Sequence, residues 1–309
     1  MLTVVVTCYN YSQSHFFKPS DSFNKKRFYL ASGFSAVSYS AFASGLYFAW
    51  YNKNKQIGFH TFDDKAEWKY MDKIGHSYTS YLQTSLVYNG AQWVGMKDRN
   101  SLYWALGLSN LFQTTIEVMD GFSDRWGFSW TDIGANLGGN AFFLSQHFLW
   151  KEQKFLLKFS SHKISYSSND PEIITRVSEL YSERLAERLL KDYNGQTYWL
   201  SFNPVHLFTK EKTFWPEYLN VAFGYGVDGL LGARANSWTN DEGKEIRIDP
   251  SVFPRRNQYY LSLDINLSKI PVKNHFLKSI FSVINIIKIP APTLELNSMN
   301  NLKFHFFYF

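Results

Sequence analysis

Cysteine is almost absent. Cys8 stands alone, so no intrachain disulfide framework holds this chain. Charge is sparse as well: Asp, Glu, Lys and Arg make up 19% of 309 residues, against about a quarter in an ordinary soluble domain. Strongly apolar runs are missing too, and a mean hydropathy of −0.28 argues against a polytopic transporter of greasy spans. No arginine-rich run, zinc-ligand spacing or RNP-like motif accompanies the net charge of +6, so no nucleic-acid partner is expected. HExxH, a nucleophile elbow and a Gly-rich phosphate loop are all lacking, which removes the commonest hydrolase and nucleotide-binding signatures.

What the chain has in excess is rings, with 19% Phe, Tyr and Trp. Such a content suits membrane-interface belts and lipid-facing β-structure, although an aromatic-rich soluble core is the plainer alternative. The length is enough to bury a real core, as one large domain or two. Residues 1–14 have the look of a truncated signal peptide: Val4, Val5 and Val6 form a short apolar run ahead of Ser12-Gln13-Ser14. Cys8 as a lipidated cysteine is the alternative, but Val5-Val6-Thr7 fits that pattern poorly.

Tyr29 to Asn52 carries no charge, follows Lys25-Lys26-Arg27, and is long enough for a transmembrane or deeply embedded helix. Its Ser, Gly and Ala content would let helices approach closely. Three more near-helical runs follow, Ile74 to Met96, Ser101 to Ile116 and Ile133 to Trp150, with ionisable groups at their edges. Asp72 and His76 lie four apart on one helical face, and so do Asp132 and Asn136. Glu117 and Asp120 end the middle run, and Ser129 or Thr131 would cap the last. Gly134, Gly138 and Gly139 make sense in that helix only if a neighbouring backbone packs on them. Beyond Lys151 the pattern changes. Pro171 to Leu190 and His275 to Ile287 read as amphipathic helices. Thr197 to Phe202, Leu219 to Tyr225, Gln258 to Leu267 and the terminal Leu302 to Phe309 read as strands, the third with a clear period of two.

The pattern Asp72-Lys73-Ile74-Gly75-His76, then Glu117, then Ser129-Trp130-Thr131-Asp132 and Asn136-Leu137-Gly138-Gly139 resembles the VanZ-like pattern of bacterial membrane proteins. More closely, it is similar to the YfiM-like envelope proteins of unknown function. The stretch from Glu117 through Asp120-Gly121-Phe122-Ser123 to Trp126-Gly127-Phe128-Ser129 fits a Bacteroidetes-type branch. The core pattern covers Phe59 to Trp150, while Lys191 to Trp199 resembles only the closer branch. The resemblance implies an envelope location and a helical bundle, with no established catalytic activity.

The expected fold is therefore mainly α: a membrane-associated bundle of about four helices over 15–155, then a mixed α/β tail at 156–309 with amphipathic strands. The expected function is structural or lipid-binding, in the outer membrane or on the periplasmic side rather than in the inner membrane. Asp72, Lys73, His76, Glu117, Asp120, Asp132 and Asn136 form the candidate binding set, tying helices together or gripping a lipid head group. The alternative is a lipid-phosphate or isoprenoid-linked glycan hydrolase or transferase. There His76 would be general base, Asp72 its orienter, Glu117 or Asp132 the acid, and Lys73 the anion holder. With one histidine in reach, no metal is expected, and no other cofactor. Membrane lipid and other envelope proteins are the expected partners.

Overall fold

The structure is a computed structural model and describes residues 18–51, 55–166, 170–182, 184–208, 214–240 and 242–309. The expected signal peptide, 1–14, lies outside the described residues. The chain divides into a helical unit (Met1–Asp64, His76–Lys151, Pro271–Val283) and a sheet unit (Lys65–Gly75, Glu152–Ile270, Ile284–Phe309).

The helical unit holds α1 (Lys25–Leu46), most of α2 (Met71–Val94), α3 (Asp98–Gly121) and α4 (Trp130–Trp150). Asn24 caps α1, its Oδ1 accepting from the Arg27 amide at 3.1 Å. Ser129 caps α4 in the same way, accepting from the Asp132 amide at 3.1 Å, which fixes where that helix begins. Small residues decide the approach of α2 and α4. A Cβ built on Gly139 would stand 2.1 Å from the Ser77 carbonyl oxygen, so only glycine fits there. One polar layer, lacking any charge, fills the middle of the bundle. Asn140 Oδ1 accepts from Thr84 (2.6 Å), Ser80 (3.3 Å) and Ser109 (3.2 Å), and Gln113 donates to Gln83 at 3.0 Å.

The sheet unit is built on six antiparallel strands in the order β1-β2-β3-β6-β7-β8: β1 (Phe155–Ser161), β2 (Gln196–Phe202), β3 (Leu219–Asp228), β6 (Arg256–Ile265), β7 (Ala291–Asn297) and β8 (Leu302–Tyr308). A separate small ribbon pairs β4 (Ser237–Thr239) with β5 (Glu245–Arg247). The longest pairing runs from Leu219 opposite Ile265 to Asp228 opposite Arg256. This register puts Tyr260, Ser262 and Asp264 on the buried face, and Tyr259, Leu261 and Leu263 on the exposed one. Trp199, Ala222 and Tyr260 pack together on the buried side. Pro171 to Leu190 is two helices, α5 (Pro171–Tyr181) and α6 (Leu185–Lys191), because Ser182 takes a positive φ of 64° between them. Ile173, Val177 and Tyr181 of α5 pack on Leu231 as an apolar core. A last short helix, α7 (His275–Ile284), belongs to the helical unit but for its final residue.

The expectation of a mainly α membrane bundle is overturned. The antiparallel sheet is as substantial as the bundle, and none of the described helices is long and apolar enough to cross a membrane. The uncharged run from Tyr29 owes its neutrality to Ser, Gly and Tyr, whose polar groups keep its hydropathy below that of a span. Charge alone was a poor proxy for apolarity.

Candidate functional site

Four of the candidate residues converge inside the helical unit. α2 supplies His76, α3 supplies Glu117, and α4 supplies Asp132 and Asn136 one turn apart. His76 Nδ1 lies 3.2 Å from Asn136 Oδ1 and 3.7 Å from Glu117 Oε1. Its other nitrogen, Nε2, lies 3.7 Å from Asp132 Oδ1. The imidazole is thus held between two acids, one at each ring nitrogen. All three side chains are withdrawn from solvent, with exposures of 14% for His76, 1% for Glu117 and 7% for Asp132.

Glu117 is strongly perturbed. Burial pushes its carboxyl up to about 8; the His76 imidazole opposes this shift, and the charges of Asp132 and Asp120 add to it. At neutral pH it therefore holds a proton. Its Oε2 accepts from the Ser129 amide at 3.2 Å. Its Oε1 is buried with no protein hydrogen-bond partner among the described residues, and the same is true of Asn136 Nδ2.

A second tier supports the α4 terminus. Asp64 Oδ1 accepts from the hydroxyls of Ser129 and Thr131, both at 2.7 Å. Asp64 had no signal in the sequence beyond its place in a charged connection. Ser129 was legible as a cap, yet its amide contact to Glu117 was not. Asp120 is engaged elsewhere: the Tyr51 hydroxyl donates to its Oδ1 at 2.6 Å. Asp72 and Lys73 belong to the sheet unit, where they pair at 2.9 Å and Asp72 accepts from the Tyr193 hydroxyl at 3.0 Å.

His76 offers one nitrogen to each acid, Nδ1 towards Glu117 and Nε2 towards Asp132. The hydroxyls of Ser77 and Ser129 are both spent as donors, to the Ala135 carbonyl at 2.8 Å and to Asp64 at 2.7 Å. Neither is presented as a nucleophile.

Residues 60–146 match the model of a family described as a predicted periplasmic lipoprotein, DUF2279. No curated protein and no solved structure matches the chain. The matched stretch contains every candidate residue, from Asp72 to Asn136, and ends before the first strand. It supports an envelope protein of the periplasmic or outer-membrane side, as expected. It lends no support to the finer VanZ-like or YfiM-like name, nor to a transmembrane helix.

Proposed function

We propose that this chain is a non-catalytic, lipid-contacting protein of the envelope, and that the His76 cluster locks its helices together. One observation carries the reading: each unit buries polar side chains and exposes apolar ones. Gln113, Glu117, Asn136, Asn140 and Gln146 are buried in the helical unit, while Phe34, Trp104, Leu111, Leu137 and Phe148 are exposed. In the sheet unit Lys158, Ser201, Asp264 and Thr293 are buried, while Phe223, Leu261, Leu294 and Phe304 are exposed. Leaving a large apolar side chain in water forgoes about 1.5–3 kcal/mol each, so so many of them call for an apolar surround. Acyl chains at a membrane interface supply one without a spanning helix. The buried groups then need their own partners, which the polar layers provide.

Vesicle flotation of the full-length protein tests this. The expected result is flotation with phosphatidylethanolamine–phosphatidylglycerol vesicles, together with tryptophan quenching by brominated acyl chains. His76→Gln is expected to float equally well while unfolding at lower denaturant. Protein that stays monodisperse at the bottom of the gradient, unquenched, would sink the proposal.

A further inference from the structure

Apart from the His76 cluster, the sheet unit contains a cavity of about 490 Å³ that no role above uses. That volume lies within the range of small-molecule sites. Its walls are residues 163–166 after β1, one face of α5, Ser182 and Arg188. Lys163 and Arg188 bring two positive charges to it, and none of the described lining residues is an acid. Ser165 and Ser182 add hydroxyls, and Ile174, Val177 and the Tyr166 ring form an apolar part.

Arg188 is fixed in place. Its guanidinium carbon sits 5.4 Å over the Tyr166 ring, and its Nη2 donates to the Ile164 carbonyl at 3.2 Å. Its Nε is buried with no hydrogen-bond partner among the described residues. Arg188 Nε pairs with Asp192 Oδ2 at 3.7 Å, and that oxygen also accepts from the Tyr166 hydroxyl at 2.9 Å. Arg188 thus has one ion-pair partner, whose facing oxygen it shares with that hydroxyl. Lys163 is exposed.

We propose that this cavity binds a phosphate-bearing amphiphile, with Lys163 and Arg188 holding the phosphoryl oxygens and Ile174, Val177 and Tyr166 receiving the hydrocarbon. A planar guanidinium suits two oxygens of a tetrahedral anion, and a flexible ammonium adds a mobile point charge. The inference is independent of lipid contact by the exposed faces, because its probe is soluble.

The test is calorimetric titration of the full-length protein with hexyl phosphate below its micellar range. Inorganic phosphate serves as the head-only probe and hexanol as the tail-only probe. One saturable site is expected for hexyl phosphate, at least tenfold tighter than for either part. Lys163→Gln, which breaks no hydrogen bond or ion pair among the described residues, is expected to weaken it about tenfold. Arg188→Lys, which keeps the charge and removes the fork, is expected to do the same. Hexanol binding as tightly, inorganic phosphate binding as tightly, or a Lys163→Gln protein indistinguishable from the parent would each overturn the proposal. Competition by phosphatidic acid vesicles would identify a membrane lipid as the source, and its absence a free phosphate ester.

Discussion

At the scale of single residues, Glu117 decides how the cluster responds to pH. Its carboxyl titrates near 8 in the folded chain and near the ordinary 4.5 when unfolded. Between those values the folded state holds a proton that the unfolded state has released, so stability falls as pH rises through that window. The full swing is roughly 3–5 kcal/mol, an upper bound because neighbouring charges relax. Glu117→Gln keeps an acceptor for the Ser129 amide and removes the titration. We expect the variant to match the parent near pH 5 and to exceed its urea midpoint at pH 8; a lower midpoint at both would show that the carboxyl is not penalised. Much of this cluster was readable beforehand, because His76, Glu117, Asp132 and Asn136 are polar exceptions at the edges of uncharged runs. Asp64 was not. A loop residue that acts by accepting two hydroxyls has no periodicity to give it away. Asp120 shows the opposite error, since a helical stripe shared with Glu117 did not determine which neighbour it would meet.

At the scale of elements, α4 offers a paired test of helix packing. Gly139 sits against the α2 backbone, whereas a Cβ on Gly134 meets nothing within 4 Å. Gly134→Ala should therefore stabilise the protein by about 0.5–1 kcal/mol through helix propensity alone. Gly139→Ala should destabilise it by about 1–3 kcal/mol, since either helix must move to admit the methyl. Thermal melts of the two variants check this, and equal shifts would contradict the close approach. The three glycines of α4 looked alike in sequence because packing partners lie outside the local window. Strand β6 was visible through alternation and β2 and β3 as short aromatic segments, yet β1, with Lys158 at its centre, was missed. In the fold that lysine is wholly buried, donating to the Ile265 carbonyl and pairing with Asp264, each at 2.8 Å. Alternation reveals two faces without revealing which turns inward, and here the polar one does.

For the molecule as a whole, buried acids and buried lysines set opposite slopes of stability against pH. Lys288 of the sheet unit is fully buried, its ammonium 4.7 Å from the centre of the Trp199 ring and donating to the Ile289 carbonyl at 2.8 Å. Burial lowers its pKa to about 8; Asp264 resists that shift and Lys158 reinforces it. An unfolded lysine keeps its proton up to about 10.4, so between 8 and that value the unfolded state binds more protons. Stability must then rise with pH across that window, by at most about 3 kcal/mol. Lys158, also lowered by burial, acts in the same direction. Glu117 imposes the reverse slope below pH 8, and Asp192, raised by burial, adds to it from its ordinary range upward. Above about pH 10 the buried hydroxyls of Tyr166 and Tyr260 hold their protons longer than in the unfolded chain, and stability falls again. The expected profile has a minimum near pH 8 with a shoulder beyond it. Urea midpoints followed by circular dichroism from pH 5 to pH 10.5 would draw it. Lys288→Met should flatten the alkaline limb and leave the acid limb intact, while Glu117→Gln should do the converse. A monotonic profile, or one variant flattening both limbs, would show that these groups do not titrate as their surroundings require.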